Sequence, residues 1–297
     1  NSAPPSLEAL TMNWQHRHTA PDVGLQELLR ERLKRYQLSP THLTHFIDLE
    51  YGGPQSFLIG TILRFPSAPT VDIAFGNAMH ETLQWLQNEL NTNGKLPGVA
   101  AAQRHVEHIL ANQPLTDSQR ATQVARAHTA LTAYLKHART SFKQGDVAEK
   151  SFRDEGVFVQ GAHLGGKVDL LVIDKANKTI RVVDYKTGKP GTDPAKLHRY
   201  TLQLYCYKLL VEGSHSFAGY TVTDGTLVFV EPDDKGNIVE RAITFDSTEL
   251  DRVRRLLAAM WEHVQSLDIP DTRMYGTSYA DIKRFEDALI HQTSSSQ

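Results

Sequence analysis

The stretch from Lys167 to Lys186 constrains this chain more than any other. Two β-branched, apolar runs, KVDLLVID and TIRVVDYK, flank the short polar segment Lys175-Ala176-Asn177-Lys178. Such runs read as strands, and so short a connection makes them an antiparallel hairpin. In an antiparallel pair the numbers of opposed residues keep a constant sum, so if Ile173 faces Ile180, Asp169 faces Asp184. Directly opposed Cβ atoms lie ~4.5–5.5 Å apart, and like charges held that close destabilise a sheet. A divalent cation between the carboxylates removes that cost. Side chains alternate along a strand, so Lys186 shares the face of Asp184, about two rises of ~3.4 Å away. Two carboxylates and an ammonium on one face suit metal-dependent phosphodiester chemistry. The competing reading is a hairpin with solvent-facing charges, and a slip of one residue would separate the acids.

A chain of 297 residues can bury a substantial core, as one large domain or one domain with a helical insertion. It contains no apolar run long enough to cross a bilayer. Its start, NSAPPSLEAL, shows neither an initiator methionine nor a signal-peptide pattern and reads as a piece of a longer polypeptide. Cys206 is the only cysteine, which excludes an internal disulfide and a self-contained four-cysteine iron–sulfur cluster and points to the cytoplasm. The formal charge of -2 lacks the strong basic excess of a free-standing DNA binder. If the chain handles DNA, its positive surface is local, or a neighbouring domain delivers the strand.

Apolar spacing predicts a helix from Pro21 to Gln37, then a second opened by Ser39-Pro40 as N-cap and first helical residue. Residues 52–70 read as loop with an apolar centre. Helical patterns follow near Asn77–Leu90, Val99–Ala111 and Asp117–Phe142. At Val147 the character changes to three strands, 147–160, 163–174 and 179–187. A helix from Lys196 to Val211 follows, with strands around Tyr220–Val230 and Asn237–Phe245, a helix from Ser247 to Leu267 and a short helix from Tyr279 to Ile290. This order predicts an α/β fold with a mixed sheet core flanked by helices. Residues 1–37 form an N-terminal helical or linker segment and 38–290 the main domain, with its helical part at 38–146 and its sheet core at 147–267. A disordered tail is expected at 291–297.

Two further motifs bracket the hairpin: Gly76-Asn77-Ala78-Met79-His80 on an upstream helix, and Gln203-Leu204-Tyr205-Cys206-Tyr207 on the helix after it. The series G-x-x-x-H, G-x-x-D, D-x-K and Q-x-x-x-Y, in that order, resembles the PD-(D/E)XK nuclease superfamily. The likeness is to its RecB-like branch, the nuclease domains of helicase–nuclease complexes such as RecBCD and AddAB. The resemblance implies a restriction-endonuclease-like fold and a metal-dependent DNA nuclease, probed first as an exonuclease, working in recombination or repair. It implies catalytic roles for Asp169, Asp184, Lys186 and Glu149. It implies Mg²⁺ or Mn²⁺ held by His80, Asp169, Asp184 and Tyr185, and substrate contacts from Gln203, Tyr207, Lys189 and Arg199. The partners implied are DNA and a helicase domain in the same polypeptide or complex, and with one cysteine the likeness is to the cluster-free sub-branch. Two other readings stay open: a non-catalytic DNA-binding scaffold of such a complex, and a stand-alone endonuclease.

Each candidate also has a plain structural reading. His80 sits in an amphipathic helix, where a histidine is usually structural; Glu149 opens a strand and can be simply solvated. Gln203 and Tyr207 share a helix face and can serve packing. His42, His45 and Asp48, at i, i+3 and i+6, suggest either a second metal site or a polar helix face. Lys189, Lys196, His198 and Arg199 can contact phosphates or decorate a helix start. Gly161 to Lys167 fits G-x-x-x-x-G-K, but Val168 follows where a phosphate-binding loop needs Ser or Thr and a helix.

Overall fold

The computed structural model describes residues 22–66 and 69–294. Five strands, β1 (Val147–Ser151), β4 (Lys167–Asp174), β5 (Thr179–Lys186), β6 (Thr221–Phe229) and β7 (Val239–Thr244), form one sheet in the order β1-β4-β5-β6-β7. Only β5 and β6 run parallel. A parallel pair needs a long crossover, which is supplied here by a helix, Pro194–Gly213. The fold is therefore a mixed α/β sheet flanked by helices, as the element order predicts.

Helices cover both faces of the sheet. In chain order they are α1 (Asp22–Lys34), α2 (Pro40–Phe46), α3 (Gly53–Phe57), α4 (Val71–Asn93), α5 (Val99–Ala111), α6 (Asp117–Ala138), α7 (Pro194–Gly213), α8 (Ser247–Ser266) and α9 (Tyr279–Ser294). On one face Leu171, Ile180 and Val182 pack with α2, α7, α8 and α9; on the other Val183, Tyr185 and Val228 pack with α4, α5 and α6. The alternation along β5 sends its even-numbered residues, including Asp184 and Lys186, toward the first face and its odd-numbered ones toward the second.

The hairpin register is the expected one: Ile173 pairs with Ile180 across the turn. Other expectations need correction. The two strands read at 147–160 and 163–174 are each broken. Val157–Val159 (β2) and Ala162–Leu164 (β3) leave the main sheet to form their own two-stranded ribbon. Gln160 and Gly161 turn between them with φ of 46° and 85°, the pair of left-handed residues whose twist suits a two-residue hairpin. The segment read as loop contains α3 and a π-helical turn, Leu58–Ile62, which together bury Phe57 and Ile62. Helix α6 stops at Ala138, before Phe142, and α9 runs past Ile290 to Ser294, into the expected tail. Residues 1–21 and 295–297 of the expected terminal segments lie outside the described residues.

The pattern His42, His45, Asp48 resolves into structure. Ser39 and His42 form a capping box on α2, with the His42 ring accepting the Ser39 N–H, while Asp48 pairs with Arg199 at 3.3 Å. Burial holds the His42 ring neutral, with its pKa down at about 4.

Candidate metal centre

The β1–β4 pairs Ala148–Leu170 and Lys150–Val168 place Glu149 opposite Asp169. The β4–β5 pairs Leu170–Val183 and Ile173–Ile180, extended by one step, place Asp169 opposite Asp184. Three acids thus lie in line across three adjacent strands. Glu149 has φ of 50° inside its strand, a conformation costly for a residue with a Cβ. The paired ladder stops at Leu170–Val183. The Tyr185 N–H donates instead to Asp169 Oδ2, at 2.8 Å.

Helix α4 supplies His80. Its N-terminus is set by Thr70, whose hydroxyl accepts the Ile73 N–H at 3.2 Å. One turn before the histidine, Gly76 keeps the helix near the end of β5: a Cβ there would lie 3.4 Å from Thr187 Oγ1. His80 Nδ1 lies 3.4 Å from Glu149 Oε1 and 3.6 Å from Asp169 Oδ2. His80, Glu149 and Asp169 each offer a ligand atom, all within 4.8 Å of one another.

The second half of the site is a closed ring of polar contacts. Lys186 Nζ lies 2.7 Å from Asp184 Oδ2 and donates to Gln203 Oε1 at 2.8 Å. Gln203 Nε2 donates to the Tyr207 hydroxyl at 2.8 Å, which in turn donates to Asp184 Oδ1 at 3.2 Å. Lys186 Nζ also stands 4.2 Å from the centre of the Tyr200 ring. Buried Asp184 Oδ2 still accepts no well-aligned hydrogen bond among the described residues.

The electrostatics fit a cation. Burial raises the Asp169 carboxyl above the ordinary carboxylate range, and the Asp184 charge adds to that push against the opposing effect of His80. Burial alone would lower His80, but Glu149, Asp169 and Asp184 outweigh it and raise its pKa. Glu149 is held low despite its burial, by His80 and by Lys167 at 3.2 Å. One imidazole with converging carboxylates forms a donor set for a small hard divalent ion, with the imidazole compatible with Mn²⁺ as well as Mg²⁺.

The structure places the other expected residues as follows. Glu149, with as good a plain reading as a functional one, joins His80 and Asp169, whereas Asp184 is engaged by Lys186 and Tyr207. Tyr185 turns its side chain to the opposite face, where its hydroxyl meets that of Tyr134 at 3.3 Å; only its backbone faces the acids. Lys189 does not reach the cleft: it is exposed and pairs with Asp234 at 2.5 Å. His198 also points away, to Glu286 at 2.7 Å. Arg199 does line the cleft, but Asp48 occupies its guanidinium. Two residues were overlooked. Tyr200 is three before Gln203 and seven before Tyr207, one helical face. Lys167 is two before Asp169, hence on the same strand face.

These residues floor a cleft of about 1130 Å³. A model of the PD-(D/E)XK nuclease superfamily matches residues 37–276, and the chain belongs to that superfamily. Among solved structures it is similar to a protein of Eubacterium rectale described as a "Putative exonuclease". The two share 11% identity over 82% of this chain and 85% of that one, with a TM-score of 0.52; at that identity the likeness concerns the fold. No curated protein matches the sequence. Superfamily membership makes the chain a nuclease of a class that generally works with divalent metals. Among the described residues, no helix is long and apolar enough to cross a membrane.

Proposed function

We propose that this chain hydrolyses phosphodiester bonds in DNA with Mg²⁺ or Mn²⁺ held by His80, Glu149 and Asp169, with Asp184 beside them. The observation carrying this reading is the alignment of Glu149, Asp169 and Asp184 across β1, β4 and β5 with His80 above and Lys186 alongside. A divalent ion bound there supplies Lewis acidity toward a phosphate oxygen and lowers the pKa of water. The protein's own groups do the rest. Lys186, fixed between Asp184 and Gln203, directs its ammonium at the substrate, orienting the attacking water or stabilising charge that develops on the phosphate. Gln203 and Tyr207 act through Lys186 and Asp184 as positioning residues. Tyr200 and the buried strand ends restrict water around the ammonium, which strengthens its interaction with phosphate.

Resemblance in the motif series supports an exonuclease attached to a helicase in cytoplasmic recombination or repair, leaving 5′-phosphate ends. The test is cleavage of end-labelled linear and closed circular single-stranded DNA with Mg²⁺ or Mn²⁺, with Lys186→Ala alongside. Metal-dependent degradation of the linear strand alone, lost in the variant, is expected. Cleavage of circles would replace the exonuclease with an endonuclease, and activity surviving in the variant would remove Lys186 from the chemistry.

A further inference from the structure

A second cleft, of about 1400 Å³, adjoins the first, and the two share Ser39, Gly166 and Lys167. Gly166 forms the saddle between them. Its φ is 146°, and a Cβ there would meet Pro40 Cδ at 2.9 Å, so no side chain stands at the junction. The second cleft is lined by Arg32, Arg35, Arg64, Arg153 and Lys167, against the acids Glu31 and Asp154. Glu31 is already held by Lys34 at 2.7 Å. Among the described residues none of the four arginines lies within ion-pair distance of a carboxylate, whereas Lys167 is tied to Glu149. In a chain of net charge -2, four guanidinium groups with no ion-pair contact among the described residues come from three separate segments to line one channel that opens onto the metal centre.

Aromatic surface borders the same cations. Phe65, directly after Arg64, is 63% exposed, and Phe158 on the β2–β3 ribbon is 65% exposed. Phe158 stacks on His163 with centroids 4.5 Å apart, and His163 abuts Gln37 of the cleft wall at 3.0 Å. Unpaired cations track a phosphate backbone, and exposed rings accept unstacked bases; their combination is the recognition chemistry of a single strand, since a duplex keeps its base faces stacked inside.

We infer that the arginine-lined cleft is the track along which a single strand of DNA is led over Gly166 to the metal centre. The inference rests on the nuclease reading of that centre and adds to it the form of the substrate and its route. Arg64 and Arg153 grip phosphates, Phe65 and Phe158 stack bases, and Lys167 marks the point where the strand passes from track to site.

The test uses the full chain and separates binding from chemistry. Fluorescence anisotropy in EDTA gives the affinity for labelled single-stranded oligothymidylate of about 20 nucleotides, long enough to span track and site, and for a duplex of equal length, over a range of NaCl. In parallel, Mn²⁺-dependent hydrolysis of thymidine 5′-(p-nitrophenyl phosphate) reports the centre alone. The wild type is expected to bind the single strand more tightly than the duplex. Arg64→Ala with Arg153→Ala should weaken single-strand binding by about tenfold and flatten its log–log salt slope by about 1.4, two phosphate contacts at ~0.7 each. The small ester should be hydrolysed as before. The pair Arg64→Lys with Arg153→Lys, which keeps the charge, should restore the slope and shows that folding is not the cause. Unchanged affinity and slope in the alanine variant would overturn the track, and tighter duplex binding by the wild type would overturn the single-strand assignment. Failure of the wild type to hydrolyse either ester or DNA would instead sink the nuclease reading, and the binding measurement would still decide the track.

Discussion

Helix α7 serves two buried carboxylate clusters, and the molecule treats them in opposite ways. Toward the sheet, Gln203 and Tyr207 engage one flank of a site in which Glu149, Asp169 and Asp184 crowd around His80 and Lys186. On its other side, His198 meets Glu286 of α9, which is 0% exposed and also contacts Arg252 at 2.6 Å and Lys283 at 3.5 Å. Burial alone would raise the Glu286 carboxyl, yet His198 and Arg252 outweigh it and hold the pKa below its ordinary value. Burial raises Asp169 and the Asp184 charge adds to it, and His80, Lys186 and the Tyr185 N–H do not bring it back down. A carboxylate that ties helices together brings its counter-charges with it, because breaking a buried pair is strongly destabilising. At the candidate site the Asp169 carboxyl instead keeps the cost of its burial and of the neighbouring Asp184 charge.

Asp169→Asn probes the contrast most sharply. DNA cleavage should fall by about 10³-fold, while the melting temperature by calorimetry should hold or rise, since the cost of burying the carboxylate, and with it the repulsion from Asp184, is removed. A variant that cleaves within a factor of ten of the wild type would show that the Asp169 carboxylate is not functional. Glu286→Ala should do the reverse, costing about 3 kcal/mol in denaturant unfolding while leaving the rate per folded molecule intact. Its effect should depend on pH. A carboxyl whose folded pKa is depressed contributes stability that is present above the unfolded value, ordinarily 4.5, and lost as pH falls through the folded one. The gap between wild type and variant should therefore be full at neutral pH and close in acid.

A third measurement compares the clusters through the ion itself. Mg²⁺ or Mn²⁺ at roughly a hundred times its dissociation constant should stabilise the wild type by about 2.7 kcal/mol. Glu286→Ala should keep this increment and Asp169→Asn should lose most of it; an equal increment in both variants would place the ion elsewhere. The smallest effect is expected from Gln203→Ala, which frees one side of Lys186. Loss of a charge-assisted hydrogen bond should lower kcat by about tenfold with KM little changed, and a change confined to KM would make Gln203 a substrate contact instead.

Much of the site could be read before the fold was known, and the reason is local. Asp169, Asp184 and Lys186 lie within one hairpin whose turn has four residues, so alternation and a constant pair sum are enough to bring them together. Ser39 and Pro40 likewise announce α2 through neighbours in sequence. The positions of Lys189 and His198 could not be read for the complementary reason. Adjacency in sequence to an active strand does not say which way a side chain turns, and α7 directs His198 to α9 while its Gln203 and Tyr207 meet the strand. The split of the expected strands at Gln160–Gly161 depended on two left-handed residues, of which only the glycine advertises the conformation.

By itself, then, the sequence determined the hairpin, its register, most of the order of helices and strands, and the opposition of Asp169 and Asp184, because period and turn length act over a few residues. Tertiary structure alone decided that Glu149 stands level with Asp169, that His80 reaches both from α4, and that Asp184 is held by Lys186 and Tyr207. It also decided that arginines from α1, the turn after Ile62 and the segment after β1 share one cleft. Those contacts join segments far apart in the chain. Their geometry is set by how helices and strands pack on the two faces of the sheet, a property that no local pattern encodes.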